Sequence, residues 1–501
     1  MLNYVLMFLL FYFQLHGQIL TPLEKSNYTR VTSSSELVEF VINAAKNSDL
    51  ITVDTLTLSP LKKVIPLVKI SNSSFGSSSG KIKMLIIAQQ HGNEHSGKEA
   101  SLFFIKNIVE NQLKHLLSKI DILIIPQLNP DGNDKNERRN GNGADLNRNH
   151  SIITEPEVVA LHRIFNQYLP EVTIDIHEYY PYSKDWLDFG YRKNFDVQVG
   201  ILTNPNIYKP LLNFQRKKFL PYIKTFLNNA GFSFNEYMVG GPPNMARLRY
   251  STVDINDGRQ SFGIQNTFSL LFEGINGKDP VDNIKHRVEA QYRALICLLN
   301  FVYENSSSIK KLVKEGRNYL INNNCRNVLI QMEHLGNSKK EIKLLSEKSG
   351  KDTSLTISNF HDKVVSKLQV RTPIGYLIPK SDSQLLSLLQ RHNAKTKIYN
   401  RKSQATIYQY YIKDISKTNL EDLEVKTPII EKNECKNIDF NSYAFVPINQ
   451  IKSNALVLIL EPESMMSILQ YEKFKYLLKV NSAYPVLRVE KRPLMRSKSK
   501  I

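Results

Sequence analysis

Met84-Leu85-Ile86-Ile87-Ala88-Gln89-Gln90-His91-Gly92-Asn93-Glu94 is an apolar run that stops at two candidate metal ligands. A short, unbroken β-branched and aliphatic run bounded by turn residues reads as a strand buried on both faces. His91 and Glu94 therefore stand just beyond its carboxyl end. Downstream, Val172-Thr173-Ile174-Asp175-Ile176 is a second such run, and it breaks at His177. Two His and one carboxylate fill three of the four positions around a tetrahedral zinc and leave the last to water, whereas closed structural sites use four Cys or His ligands. The expectation is hydrolytic chemistry at one zinc ion per chain.

Two further runs end in chemistry. Ile122-Leu123-Ile124-Ile125 leads into Pro126-Gln127-Leu128-Asn129-Pro130-Asp131-Gly132, a strand closed by a strong turn signal. The next stretch, Glu137-Arg138-Arg139-Asn140-Gly141-Asn142-Gly143-Ala144-Asp145-Leu146-Asn147-Arg148-Asn149, sets three Arg among Gly and Asn that cannot hold a helix. It reads as a loop presenting guanidinium forks. Thr267-Phe268-Ser269-Leu270-Leu271-Phe272 is a fourth buried strand, and it terminates in Glu273. In an open α/β sheet ligands bind beyond the carboxyl ends of the strands, so His91, Asn129, His177 and Glu273 converge on one place.

This order of motifs, over roughly residues 80 to 280, resembles the zinc carboxypeptidases of the M14 type. The resemblance implies that His91, Glu94 and His177 ligate zinc and that Glu273 is the catalytic glutamate, taking a proton from the attacking water and returning it to the leaving amine. It implies that Arg138 steadies the developing oxyanion, and that Asn147 and Arg148 grip the substrate's terminal carboxylate. Tyr250 falls near the spacing of the tyrosine that closes over that carboxylate. The side-chain pocket falls near Asp257-Gly258-Arg259-Gln260; if Arg259 lines it, an acidic terminal residue is preferred. His95 and Arg139 read as bystanders, and Glu178 as either an orienting neighbour of His177 or an exposed residue. Trp186 and Tyr179-Tyr180-Pro181-Tyr182 form either a substrate wall or packed loop aromatics.

Helical periodicity or capping signals mark residues 35–47, 96–119, 280–303 and a helix ending near Tyr168 that opens on the capping-box pattern Thr154-Glu155-Pro156-Glu157. The Ser/Gly-rich stretch 71–80 reads as a hairpin tip. The fold class is α/β, an α/β/α sandwich on a mixed, mostly parallel twisted sheet over residues 18–305. A smaller β-rich accessory domain is expected over 306–501, with strand-like segments at 363–370, 405–412 and 455–460.

The apolar run 5–13 is too short to span a bilayer and reads as the core of a signal peptide ending near Gly17, residues 1–17. No other run is long and apolar enough to cross a membrane, so after removal of that segment no integral span is expected. Cys297, Cys325 and Cys435 allow at most one disulfide, and a chain of 501 residues predicts two or three domains. Abundant Lys, Ile and Asn suggest an AT-rich bacterial genome, and hence a secreted, periplasmic or cell-envelope enzyme. The formal charge of +19 is scattered among acids, and no nucleic-acid-binding motif accompanies it. Expected partners are peptide or protein C-termini, cell-wall peptides among them. Three rival functions stay open: a zinc deacylase of N-acyl amino acids similar to succinylglutamate desuccinylase or aspartoacylase, a murein-peptide amidase, and a silent module that binds carboxylate chain ends.

Overall fold

A computed structural model describes residues 19–323, 325–399 and 405–491. The expected signal peptide, 1–17, and the basic tail beyond Lys491 lie outside the described residues. The central sheet has eight strands: Ile51–Leu58 (β1), Val64–Ile70 (β2), Ile82–Ala88 (β3), Ile120–Ile125 (β4), Val172–Tyr179 (β5), Val197–Gly200 (β6), Phe234–Glu236 (β7) and Phe268–Ile275 (β8). Their spatial order is β1-β2-β4-β3-β5-β8-β6-β7. The β4-β3, β3-β5, β5-β8 and β6-β7 pairs are parallel and the rest antiparallel, which is the mixed, mostly parallel sheet expected.

Alternation explains why the apolar runs 84–88 and 122–125 of the central strands are unbroken. Met84, Ile86, Ala88, Ile122 and Ile124 pack on one face with Leu37, Leu102, Ile105, Leu295 and Leu298. Leu85, Ile87, Leu123 and Ile125 point the other way, against Val158, Leu161 and Phe165. Successive strand residues face opposite sides. Helices Ser34–Lys46, Ser96–Val109 and Ile284–Glu304 cover the first side and Pro156–Tyr168 the second, and residues 84–88 and 122–125 are all buried.

Four local expectations are corrected. Residues 71–80 are not a hairpin tip: β2 and β3 are separated by β4, so this stretch crosses the edge of β4 rather than turning back on itself. The helix expected over 96–119 stops at Val109, and Lys114–Ser118 is a separate 3-10 turn. Helix Pro156–Tyr168 begins after Glu155 with no side-chain cap; the Thr154 hydroxyl instead accepts from Asn149 Nδ2 at 2.8 Å. The strand expected at 455–460 is part of helix Ser453–Leu460, buried throughout. An all-round buried segment carries no periodicity that separates helix from strand.

Beyond residue 305 the chain is β-rich but not self-contained. Helix Ser306–Asn322 leads into the long hairpin Asn327–Ser346 and Asp352–Arg371, which shares a five-stranded sheet with Tyr191–Arg192, Met238–Val239 and Arg249–Tyr250. A third sheet, of five strands, is antiparallel throughout. Its strands Ala405–Leu420 and Leu423–Glu434 join through Glu421 and Asp422, both at positive φ (57° and 64°), the two-residue turn that hairpin twist favours. Cys297, Cys325 and Cys435 are free thiols.

That turn docks onto the N-terminal region. Arg249 ion-pairs with Glu421 at 2.8 Å and with Asp422 at 3.2 Å, and His334 Nδ1 meets Glu421 at 2.8 Å. Burial raises the Glu421 carboxyl, but its bonds to His334 and the charge of Arg249 override this and hold it below the usual range. A depressed carboxyl stabilises above its unfolded-state pKa, and the contribution disappears as pH falls through the folded value. Arg249→Ala leaves Glu421 buried without its cation; thermal unfolding should show a loss of about 3 to 5 kcal/mol, and the difference from wild type should shrink toward acid pH.

Candidate active site

After Ala88 the chain leaves the sheet through Gln89, at positive φ (56°), and turns His91 back over the strand end. Gly92 makes this turn possible, since a Cβ there would lie 2.1 Å from the Gly132 carbonyl carbon. Asn129 ties the two strand ends together. Its Nδ2 donates to the carbonyls of Gln90 and Arg138 at 3.2 Å, and its Oδ1 accepts from Gly132 N at 2.9 Å. The turn that reads as punctuation in the sequence is thus the brace between the ligand loop and the arginine loop.

His91, Glu94 and His177 come together, buried, with ligand atoms all within 4.8 Å of one another. Glu94 lies 2.7 Å from His91 Nδ1 and 2.8 Å from His177 Nδ1. Both rings turn Nδ1 inward and hold Nε2 against a carboxylate: Asp145 at 3.1 Å for His91, Asp175 at 3.0 Å for His177. Burial raises the Asp145 carboxyl, but His91 and Arg138 hold it well below the usual range, so it is an anion that orients the ring. Outer carboxylates of this kind fix tautomer and ring orientation at metal sites. The donor set, its convergence and this outer layer fit a zinc ion with an open fourth position.

Glu273 sits beside this cluster because β5 and β8 pair in register, His177 opposite Glu273. Burial pushes its carboxyl up to about 7. Arg138 reaches over from the loop, its Nε on Asp145 at 3.0 Å and its Nη1 at 3.1 Å from His91 Nδ1. Arg148 lines the same cleft, with Nη1 donating to the Asn147 carbonyl at 2.7 Å. Asn147 Oδ1 accepts from Gly258 N at 2.8 Å, locking the loop to the helix Gly258–Gly263. The cleft encloses about 830 Å³ and runs from the ligand cluster past Arg259 to Leu423, Met465 and Tyr471 of the C-terminal region.

Other singled-out residues fall elsewhere. Tyr250 does not line the cleft: its ring packs edge-on against Phe360 at 4.7 Å and borders a separate small cavity. Tyr237, which precedes the short strand pairing with Arg249–Tyr250, lines the cleft instead. Glu178 is buried rather than exposed: its carboxylate pairs with Arg287 at 2.8 Å, and its backbone N–H donates to Glu94 Oε2 at 3.0 Å, orienting a candidate ligand through the main chain. His95 is buried between Gln89 and Asn136, away from the cluster, and Arg139 donates to the Gly143 carbonyl. Trp186, buried in the short helix Lys184–Asp188, packs edge-on against Phe189, while Tyr179 and Tyr180 border the cleft. Asp175 was within reach of the sequence, because two residues before His177 on a strand places it on the same face. Asp145 and Tyr237 carry no such periodic signal.

Residues 39–184 match the family described as zinc carboxypeptidase. Carboxypeptidase 2 of Trichophyton tonsurans is 22% identical over 435 residues, covering 82% of this chain and 77% of that protein. Carboxypeptidase 2 of Trichophyton rubrum is 26% identical over 211 residues, 40% of this chain and 38% of that protein. Among solved structures, the carboxypeptidase A of Helicoverpa armigera overlays on 56% of this chain and 75% of its own at a TM-score of 0.44 and 17% identity.

The outer carboxylates yield a test that does not depend on turnover. Asp145→Asn should weaken zinc binding by about 10- to 100-fold, read by competition with a chromophoric chelator. An unchanged affinity would remove Asp145 from the site.

Proposed function

We propose that this chain is a zinc metallocarboxypeptidase that hydrolyses the C-terminal peptide bond of peptides or proteins with Glu273 as general base and acid, a reading supported by the match of residues 39–184 to the zinc carboxypeptidase family. The observation that carries this reading is the convergence of the His91, Glu94 and His177 donors with Glu273 and two loop arginines in one cleft. A zinc ion held by those three side chains supplies a Lewis acid and lowers the pKa of water toward neutrality.

The remaining steps belong to the protein. Arg148, on the cleft wall, pairs with the substrate's terminal carboxylate, and Asn147 holds the loop that presents it. This contact makes the cleft read a chain end. Tyr237, on the cleft wall, is placed to close over the same carboxylate in the role the sequence spacing suggested for Tyr250. Glu273 takes the proton of the attacking water, and Arg138 donates to the oxygen that becomes negative as the carbonyl carbon turns tetrahedral. Glu273 then delivers its proton to the departing amine. The secreted location rests on the apolar run 5–13; among the described residues no helix is long and apolar enough to cross a membrane.

Incubating the zinc-loaded protein with a mixed peptide library, and reading the products by mass spectrometry, should show loss of single C-terminal residues. Chelation should abolish it, and Glu273→Gln should lower kcat by about 10²- to 10⁴-fold. Unchanged peptides with turnover of N-acyl amino acids or murein fragments would instead favour the deacylase or amidase readings. The acid limb of kcat/KM is the second check. Burial raises Glu273 to about 7, a bound dication pulls it lower, and the base is lost as it protonates. Activity should therefore fall by about tenfold per pH unit below a limb that lies under pH 7, and Glu273→Gln should lack that limb.

A further inference from the structure

Strand Leu423–Glu434 is an edge of the third sheet and pairs on one side only, with Ala405–Leu420. Its first residues, Leu423, Glu424 and Val425, line the cleft that holds the candidate ligands. The register decides which way their backbone groups point. Lys426 N donates to Gln470 Oε1 at 3.1 Å, and the Lys426 carbonyl accepts from Gln470 Nε2 at 2.8 Å. Both groups of Lys426 are thus turned away from the partner strand. In an antiparallel pair, residues alternate between bonding the partner and turning outward. The pairing runs without a bulge from Ile415 opposite Pro428 to Leu420 opposite Leu423, so Glu424 and Pro428 turn outward as Lys426 does.

Folds cover or remove the unpaired groups of an edge strand, because these are a template for another chain. Two of the three outward positions are protected in this way. Pro428 has no N–H to expose, and the Gln470 amide stands in for a neighbouring strand at Lys426. Glu424 has neither device. Its N–H and C=O meet no partner among the described residues, and its side chain is engaged by Lys417 at 2.9 Å. The residue is exposed, at the cleft end of the strand. It is also held still, since Arg249 and His334 clamp the turn immediately before it. Leu423, an apolar side chain 60% exposed, stands beside it on the cleft.

We propose that the backbone of a substrate peptide, upstream of the scissile bond, pairs with this edge at Glu424, whose N–H donates to a substrate carbonyl and whose carbonyl accepts a substrate N–H. An extended chain thereby adds a short strand to the third sheet, with affinity drawn from main-chain bonds. The inference rests on the carboxypeptidase reading of the cleft, and the experiment separates the two. Peptides of one sequence, in which each upstream amide in turn is replaced by an ester that lacks the N–H, are compared in two ways: as substrates of the zinc-loaded enzyme, and by calorimetric binding to Glu273→Gln protein. Chelator-sensitive release of a terminal residue sustains the carboxypeptidase reading whatever the scan shows. One upstream ester should lower kcat/KM and affinity by about 3- to 10-fold, the factor expected for one net hydrogen bond, and the esters on either side of it should not, because strand pairing alternates. Glu424→Pro, which removes the outward N–H as Pro428 already does, should weaken the all-amide peptide by a similar factor. A flat scan overturns the proposal, as does a folded Glu424→Pro protein that binds like wild type. If that variant does not fold, Gln470→Ala decides: it uncaps Lys426, so a second ester penalty two residues from the first sustains the pairing, and its absence overturns it. A positional penalty in binding without release would overturn the activity and keep the edge pairing.

Discussion

The parallel pairing of β5 with β8 is the constraint on which the rest of the site depends. In-register hydrogen bonding sets His177 opposite Glu273, so the separation between a ligand and the proposed general base is a property of the sheet, not of a loop. Both strands are buried on two faces, and a one-residue slip would turn every core side chain of one strand to the wrong side. Core packing and catalytic geometry are therefore held by the same interaction. The neighbouring pairing of β3 with β5 extends this to His91 and Glu94, which leave β3 at the level where His177 stands on β5.

Buried charge is organised around that frame in opposed pairs. Asp145 and Asp175 sit behind the two histidines, Arg138 bridges Asp145 and the ligand cluster, and Glu178 on the far face is matched by Arg287. Each of these three carboxylates has a cation or ring nitrogen within hydrogen-bond reach, as burial of charge requires.

The C-terminal sheets contribute by position. The hairpin turn at Glu421 and Asp422, clamped by Arg249 and His334, brings Leu423, Glu424 and Val425 to the cleft, and Met465 and Tyr471 face it from the adjoining loop. Residues more than a hundred positions beyond Glu273 thus shape what can enter. Tyr250, at a plausible chain distance from Glu273, is occupied against Phe360 of the long hairpin, whereas Tyr237 is free to face the cleft. That exchange arises because the hairpin adds a strand beside Arg249–Tyr250 and buries one tyrosine beneath it.

What was legible from the residues alone was whatever depends on local pattern. Unbroken apolar runs identified the doubly covered strands, and the residues at their ends pointed to the side chains that the structure brings together, His91, Glu94, His177 and Glu273 with the arginine loop, because strand ends lie where the periodicity stops. Legibility failed where neighbours in space, not in sequence, set the outcome. The stretch 71–80 looks like a turn, but β4 inserts between its flanking strands, and 455–460 is helical because burial on every side erased its period. The sequence by itself determined the chemistry available: the donor set, the base and the cationic loop. Only the tertiary structure decided which carboxylates orient the histidines and which tyrosine meets the cleft, since each depends on side chains far apart in the chain competing for the same partners.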